Sequence, residues 1–256
     1  MGKIKETAQV IAQEKLCDGI YSMLIRTKIA KEARCGQFIS VYTKDSSRLL
    51  PRPISICEIF DDSLRIVYRV AGEGTNEFSK YTAGDEIEIL GPNGNGFPTD
   101  EYRNSKVMLI GGGIGIPPML CAGKAIAGEK IFVCGYRNKE TMFITDELED
   151  CGKLYIATDD GSYGVHGTVM DVIARENLKA DVIFACGPKP MLAAVKAYSM
   201  EAEIPAYISM EERMACGVGA CLGCVCASTG IDDHSKVNNK RVCKDGPVFL
   251  ASEVEL

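Results

Sequence analysis

The sequence lacks the features of a nucleic-acid-binding or membrane-spanning protein. Its 29 Lys and Arg residues are outnumbered by 35 Asp and Glu residues, which gives a net charge of −6. We therefore expect no nucleic-acid partner and no contact with an anionic membrane surface. Apolar runs such as residues 107–110 and 182–185 are far too short to cross a bilayer. Residues 1–14 contain no signal-peptide core, so we expect a cytoplasmic protein.

Histidine is also scarce, since His166 and His234 are the only two in the chain. They are far apart in sequence, and the Lys, Asp and Glu residues show no paired arrangement that would indicate general acid–base catalysis. We therefore assign no catalytic side chain. Bound cofactors are expected to carry the chemistry, while the protein binds and orients them.

Cysteine, in contrast, is abundant. Seven of the twelve cysteines are scattered, and the other five lie between Cys216 and Cys243. In a reducing compartment such a cluster favours metal ligation or redox chemistry over disulfides. Cys216, Cys221 and Cys224 are spaced C-x4-C-x2-C, and Cys243 follows after eighteen residues. This is the plant-type [2Fe–2S] ligand spacing. The intervening glycines allow the backbone to curl round a cluster and point N–H groups at the sulfurs.

Two alternatives remain open for these cysteines. One is a structural zinc site with four thiolate ligands, although zinc sites more often use two separated C-x2-C pairs. The other concerns Cys226, which a regular strand would place on the same face as Cys224. Exchange between these two as ligands is conceivable, but Cys224 completes the expected spacing, so Cys226 is interpreted as a packing residue.

The rest of the chain divides into two patterns. Short β-favouring runs at 21–25, 38–41, 54–58, 64–70 and 86–90, separated by turn residues, predict a small antiparallel β-barrel. From about residue 106, buried-strand and helix patterns alternate, which predicts a Rossmann-like parallel sheet. The predicted domains are a flavin-binding barrel at 1–100, an α/β nicotinamide domain at 101–208, and a small cluster domain at 209–256.

The predicted barrel carries candidate flavin-binding residues on two strands. Arg52, Pro53, Ile54 and Ser55 begin one strand, where the Arg can contact a pyrophosphate through two hydrogen bonds. Arg69, Val70 and Ala71 end another strand and are followed by Gly74 and Thr75, whose N–H groups can face phosphate if a helix begins there.

The second domain carries a candidate dinucleotide site. Gly111, Gly112, Gly113 and Gly115 form a turn between a buried strand and a helix, where a pyrophosphate can approach the helix N-terminus. Cys186, Gly187 and Pro188 end the last strand of this domain. No acidic partner for a ribose 2′-hydroxyl is identified, so these residues do not separate NAD from NADP.

The order of these motifs resembles the ferredoxin–NADP reductase superfamily. The cysteine-rich strings at 210–224 and 243–249 narrow the resemblance to the electron-transfer subunits of class 1B dihydroorotate dehydrogenase, over nearly the whole chain. The resemblance implies FAD on the barrel, NAD as co-substrate near Cys186-Gly187-Pro188, and a [2Fe–2S] cluster. It also implies a role in pyrimidine biosynthesis with an FMN-containing catalytic subunit, in a heterotetramer with two copies of each subunit.

A [2Fe–2S] cluster carries one electron, so a partner must exchange electrons at its far side. Val218, Leu222 and Val225 are expected either to form an apolar docking surface for that partner or to pack against the barrel. Two competing functions remain. One is the small subunit of an NADH-dependent ferredoxin–NADP or sulfide-type oxidoreductase, and the other is a non-enzymatic adaptor stapled by zinc.

Overall fold

The computed structural model describes residues 2–45, 47–231 and 236–256. The N-terminal part is a closed antiparallel barrel with the strand order β1-β2-β5-β4-β3-β6. Its elements are β1 (Ile4–Cys17), β2 (Ile20–Arg26), β3 (Phe38–Val41), β4 (Arg52–Ile59), β5 (Ser63–Arg69), α1 (Glu73–Phe78) and β6 (Glu86–Asn93). The predicted barrel is confirmed.

The longest barrel strand, β1, lies entirely outside the predicted strand runs, the first of which begins at residue 21. Its fourteen residues are rich in Glu, Lys and Gln, which have low strand propensity, and only Ala8 and Val10 are buried. The strand forms because it pairs with β2 along one edge and with β6 along the other. The pairing that closes the barrel is therefore a tertiary contact, and the local sequence pattern does not predict it.

The second part is a seven-stranded sheet with the order β10-β9-β8-β7-β11-β12-β15. All neighbouring strands are parallel except β12 and β15. Its elements, in chain order, are β7 (Val107–Gly112), α2 (Ile116–Ala125), β8 (Lys130–Tyr136), α3 (Thr145–Cys151), β9 (Lys153–Thr158), β10 (Val165–His166), α4 (Val169–Arg175), β11 (Val182–Cys186), α5 (Lys189–Glu201) and β12 (Ala206–Ser209). The predicted parallel-sheet domain is confirmed.

The C-terminal segment is built around a two-stranded hairpin of β13 (Val225–Ala227) and β14 (Asn239–Arg241). The chain then returns to the large sheet, where β15 (Val248–Leu250) pairs antiparallel with β12. The cysteine-rich segment is thus anchored to the sheet at both ends, by β12 before it and by β15 after it.

The barrel and the large sheet are joined by packing and by charge. Phe97, which follows the barrel, stacks on Phe184 of β11 with 5.0 Å between ring centroids. Glu58 of β4 accepts a 2.7 Å hydrogen bond from Arg65 of β5 and also pairs with Lys124 of α2. Arg65 in turn contacts Glu147 of α3 at 2.5 Å. In the described parts of the chain, no helix is both long and apolar enough to cross a membrane.

Candidate flavin, nicotinamide and cluster sites

A cavity of about 280 Å³ lies where the barrel meets the beginning of the cysteine-rich segment. Its barrel wall includes seven of the predicted flavin-binding residues, namely Arg52, Pro53, Ile54, Ser55, Arg69, Ala71 and Thr75. The lining also includes Ser209, Met210, Glu211, Glu212 and Met214. The barrel and the segment that leads to the first clustered cysteine therefore enclose one site.

Gly74 does not line this cavity, but it shapes it. A Cβ atom at this position would lie 2.1 Å from Nε of Arg52, so the guanidinium group rests directly on the glycine backbone. Thr75 orders the same turn, because its hydroxyl oxygen accepts hydrogen bonds from the N–H groups of Ala71 (2.9 Å) and Gly72 (3.2 Å). Val70 is turned away, and its N–H donates to the Gly19 carbonyl. This cradle, with a cation held at its edge, fits the pyrophosphate of a flavin dinucleotide.

A second cavity of about 510 Å³ opens at the carboxyl ends of β7 and β11. After β7 the chain adds β8, β9 and β10 on one side of this strand, and then adds β11 and β12 on its other side. The reversal makes this the switch point of the sheet, where dinucleotides bind in such folds. Of the predicted residues, Gly112, Gly113, Gly115, Gly187 and Pro188 line it.

The turn at residues 111–115 needs its glycines for close packing against the residues that end and follow β11. A Cβ atom at Gly115 would lie 2.3 Å from the Cys186 carbonyl oxygen, and one at Gly112 would lie 2.7 Å from Sδ of Met191. Gly111 and Cys186 do not line the cavity. A Cβ at Gly111 would meet Ile116, while the Cys186 thiol is 1% exposed. These two residues pack against the turns without facing the cavity.

Sequence reasoning missed several residues of the second cavity. Asp159 and Arg137, which directly follow β9 and β8, both line it. Their positions could have predicted this, because side chains that directly follow parallel strands lie at the same edge of the sheet. An acidic side chain here can accept a hydrogen bond from a ribose hydroxyl, whereas it repels a phosphate. His166 is exposed in β10 and lines neither cavity, whereas His234 lies outside the described residues.

The two cavities share a wall formed by Arg69, Ile114 and Glu211. Desolvation by the surrounding protein raises the pKa of the Glu211 carboxyl, and the nearby positive charge of Arg69 opposes this shift. A ligand in one cavity therefore lies directly beside a ligand in the other. Glu211 is only five residues before Cys216 in the chain.

The loop from Cys216 to Cys224 directs backbone N–H groups at sulfur atoms. Sγ of Cys216 accepts from the N–H groups of Val218 (3.4 Å) and Ala220 (3.3 Å), and Sγ of Cys221 accepts from that of Gly223 (3.4 Å). Positive φ angles at Gly217 (64°) and Gly219 (88°) make this curl possible. Burial would raise the pKa of the Cys216 thiol, but these N–H groups and Cys221 lower it to about 6. The loop is thus organised to hold thiolates.

The four predicted ligands lie near one another, and Cys243 is influenced by both Cys224 and Cys216. Cys216 interacts with Cys221, whereas Cys243 interacts with Cys224 and its N–H donates to Sγ of Cys224 at 3.4 Å. Among the described residues, no three Cys, His, Asp or Glu side chains are grouped to hold one metal ion. The ligand spacing and the N–H groups directed at sulfur favour a [2Fe–2S] cluster over one tetrahedral zinc ion.

Cys226 and the exposed apolar residues lie around this loop. Cys226 is 7% exposed and packs in the same apolar core as Val242, and burial raises its pKa. Val218, Leu222 and Val225 are 37%, 61% and 38% exposed. The expectation that these three side chains are buried against the barrel is therefore wrong, whereas a docking surface stays a prediction.

Comparison with known proteins gives consistent matches. The family model described as the iron-sulfur cluster binding domain of dihydroorotate dehydrogenase B matches residues 211–255. Two curated relatives are named dihydroorotate dehydrogenase B (NAD(+)), electron transfer subunit. The one from Listeria monocytogenes is 44% identical over 97% of this chain and 98% of its own length. The one from a Geobacillus strain is 40% identical over 98% and 99%.

Solved structures agree with these matches. An NADH-dependent reduced ferredoxin–NADP oxidoreductase is similar with a TM-score of 0.83 and 26% identity, and the alignment covers 98% of this chain and 90% of that one. A ferredoxin NADP+ reductase from Neisseria gonorrhoeae with bound FAD and NADP has a TM-score of 0.65 and 16% identity over 77% of this chain and 91% of that one. The latter similarity shows the fold alone.

Proposed function

Because the chain belongs to the family of electron transfer subunits of dihydroorotate dehydrogenase B (NAD(+)), we propose that its three sites form one path between NAD and a partner catalytic subunit. The protein is the flavin-dependent electron-transfer component of an NAD-linked oxidoreductase of pyrimidine biosynthesis, with FAD, a [2Fe–2S] cluster and NAD(H). When bound, FAD exchanges a hydride with the nicotinamide and single electrons with the cluster.

One observation carries the proposed path. The flavin cavity shares Arg69, Ile114 and Glu211 with the nicotinamide cavity, and the segment that leads to Cys216 also contributes Glu212 and Met214 to its lining. We infer that a flavin in the first cavity lies beside the nicotinamide site and beside the segment that carries the first proposed cluster ligand. In the proposal, Arg52 and Thr75 hold its pyrophosphate end, and the glycine turns at Gly112–Gly115 and Gly187 admit the nicotinamide dinucleotide. Cys216, Cys221, Cys224 and Cys243 hold the cluster.

We further propose that the partner is an FMN-containing subunit that oxidises dihydroorotate, in a heterotetramer with two copies of each chain. The exposed side chains of Val218, Leu222 and Val225 support a docking surface beside the cluster. Co-purification with such a subunit and light-scattering measurement of the mass test this assembly. A stable 1:1 complex that stays a heterodimer at micromolar concentration would reject the heterotetramer.

The experiment that tests the path is an anaerobic absorption spectrum followed by titration with NADH. We expect flavin bands with broad iron–sulfur absorbance at longer wavelength, both bleached by NADH, and electron transfer to the FMN subunit on mixing. A colourless protein with tightly bound zinc would contradict the proposal. Reduction of ferredoxin but not of the FMN subunit would instead support the small-subunit function suggested by the similarity to the NADH-dependent ferredoxin–NADP oxidoreductase.

Coenzyme choice is assigned to Asp159, whose carboxylate lines the nicotinamide cavity and would repel a ribose 2′-phosphate. We expect Asp159→Ser to raise kcat/KM for NADPH by about tenfold, while kcat/KM for NADH falls. Asp160→Ser is the matched control, because the Asp160 carboxylate accepts hydrogen bonds from Ser162 and does not line the cavity. Equal effects of the two substitutions on the NADPH/NADH ratio would refute the assignment.

A further inference from the structure

Two cations lie behind the peptide groups that face Cys216. Nζ of Lys3 donates to the Gly217 carbonyl at 3.4 Å, and a guanidinium N–H of Arg241 donates to the Gly219 carbonyl at 3.2 Å. These carbonyls belong to the same peptide groups whose N–H atoms, on Val218 and Ala220, donate to Sγ of Cys216. Lys3 comes from the start of the barrel and Arg241 from β14, so two distant parts of the chain make the same contact.

The geometry of a trans peptide explains why the two contacts act together. Its N–H and C=O groups point in opposite directions, so a peptide that turns its N–H toward sulfur must turn its carbonyl away. A cation on that carbonyl fixes the orientation of the peptide plane. It also polarises the peptide, which strengthens the N–H···S hydrogen bond.

From this arrangement we infer that Lys3 and Arg241, here named the cationic pair, are positioning residues that raise the reduction potential of the cluster. Hydrogen bonds to the sulfurs and net charge are two of the factors that set such potentials. One-electron reduction adds a negative charge, which the cationic pair stabilises both directly and through the two polarised peptides. This inference rests on the proposed cluster ligands.

The surroundings hold the pair against the loop. A Cβ atom at Gly217 would lie 2.8 Å from Oγ of Ser40, so the loop rests on barrel strand β3. Arg241 is oriented by Asp245, whose carboxylate accepts from its Nε at 3.0 Å and from a terminal nitrogen at 3.1 Å. Because Asp245 offsets part of the charge of Arg241, we expect Lys3 to have the larger electrostatic effect.

The test is an EPR-monitored redox titration of the complete chain with its cofactors. We expect Lys3→Met to lower the ratio of reduced to oxidised cluster about tenfold at fixed applied potential, which is about 59 mV for a one-electron couple. Lys3→Arg should restore most of the shift. Lys5→Met is the matched control, because Lys5 lies two residues further along the chain in β1 and pairs with Glu88 at 3.0 Å, and its substitution makes the same change of net charge.

A second variant and a second readout keep the inference testable if Lys3→Met does not retain the cluster. Arg241→Gln should also lower the potential, and deuterium couplings from exchanged N–H groups near the reduced cluster should weaken in either variant. Potentials that match the Lys5→Met control, in chains that keep full iron content, would overturn the role of the cationic pair. Absence of iron and sulfide from the unaltered chain would instead reject the proposed cluster site itself.

Discussion

The position of Arg52 in the flavin cavity depends on the absence of a Cβ atom at Gly74. The guanidinium of Arg52 occupies the space that a side chain at this position would need. The neighbouring Gly72 has an extended backbone with φ of −177°, and a Cβ atom there would meet nothing within 4 Å. Two glycines two residues apart therefore have different structural roles.

We predict that Gly74→Ala displaces the Arg52 guanidinium and weakens FAD binding about tenfold or more, equivalent to ~1.4 kcal/mol. Gly72→Ala should bind FAD normally because its Cβ enters open space. Fluorescence titration of the deflavinated protein with FAD measures both affinities. Normal FAD affinity of Gly74→Ala would show that Arg52 has another acceptable position.

Two cysteines of the C-terminal segment, Cys243 and Cys226, are predicted to have different roles. Cys243→Ser should remove one of the four proposed thiolates and abolish or strongly deplete the cluster, as measured by iron content and long-wavelength absorbance. Cys226→Ala should keep the cluster and lose about 1 kcal/mol of stability from reduced packing. Full iron content in Cys243→Ser together with depletion in Cys226→Ala would mean that Cys226 is the ligand.

Between elements, the contact of the barrel with α2 and α3 is maintained by charge. Glu58 of β4 contacts Arg65 and Lys124, and its side chain is 7% exposed. Burial would raise the pKa of Glu58, but Lys124 and Arg65 lower it below its usual value. Removal of the Glu58 carboxylate leaves the mostly buried guanidinium of Arg65, whose side chain is 12% exposed, with Glu147 as its main remaining partner. Such a loss is more destabilising than the loss of an exposed pair.

We predict that Glu58→Gln lowers the free energy of unfolding by about 3 kcal/mol at pH 7. Because the folded-state pKa of Glu58 is lowered, its contribution is fully present above the unfolded-state pKa of ~4.3 and is lost as pH falls through the folded-state value. The difference from the unaltered protein should therefore shrink on acidification. Denaturant unfolding at several pH values measures it.

Glu88→Gln serves as the control for this prediction, because Glu88 pairs with Lys5 on the surface of the barrel. Its substitution should change the stability by less than about 1 kcal/mol at every pH. It also reports any general loss of cofactors in acid. A Glu58→Gln deficit that stays constant down to pH 3, relative to this control, would disprove the proposed titration.

Over the whole molecule, the cysteine-rich loop presents apolar side chains outward beside the cluster site. Leu222 is 61% exposed, which is more than Val218 or Val225. Its φ angle of 58° is uncommon for a residue other than glycine. We predict that Leu222→Glu weakens association with the proposed FMN-containing subunit at least tenfold, ~1.4 kcal/mol, without loss of cofactors. Calorimetric titration of one subunit with the other measures this.

Met200→Glu is the matched control for docking. Met200 is 62% exposed but lies in α5 of the large-sheet domain, outside the cysteine-rich segment. Its substitution should leave the association unchanged. If both variants bind the FMN subunit as tightly as the unaltered chain, the docking surface lies elsewhere.

The sequence alone determined the class of chemistry and the order of the parts. Ligand spacing at Cys216–Cys243, the Arg52–Ser55 run and the glycine turn at Gly111–Gly115 are local patterns, since each depends on residues that are close in the chain. The alternation of strands and helices after residue 106 is also local, and it predicted the sheet domain well.

The tertiary structure decided whatever depends on residues far apart. Strand β1 exists because two partner strands pair with it, and Asp159 and Glu211 become site residues because sheet topology brings them to the cavities. Lys3 reaches Gly217 across 214 positions of sequence. Such contacts follow from how the barrel, sheet and hairpin pack against one another, and a local sequence pattern does not predict that packing.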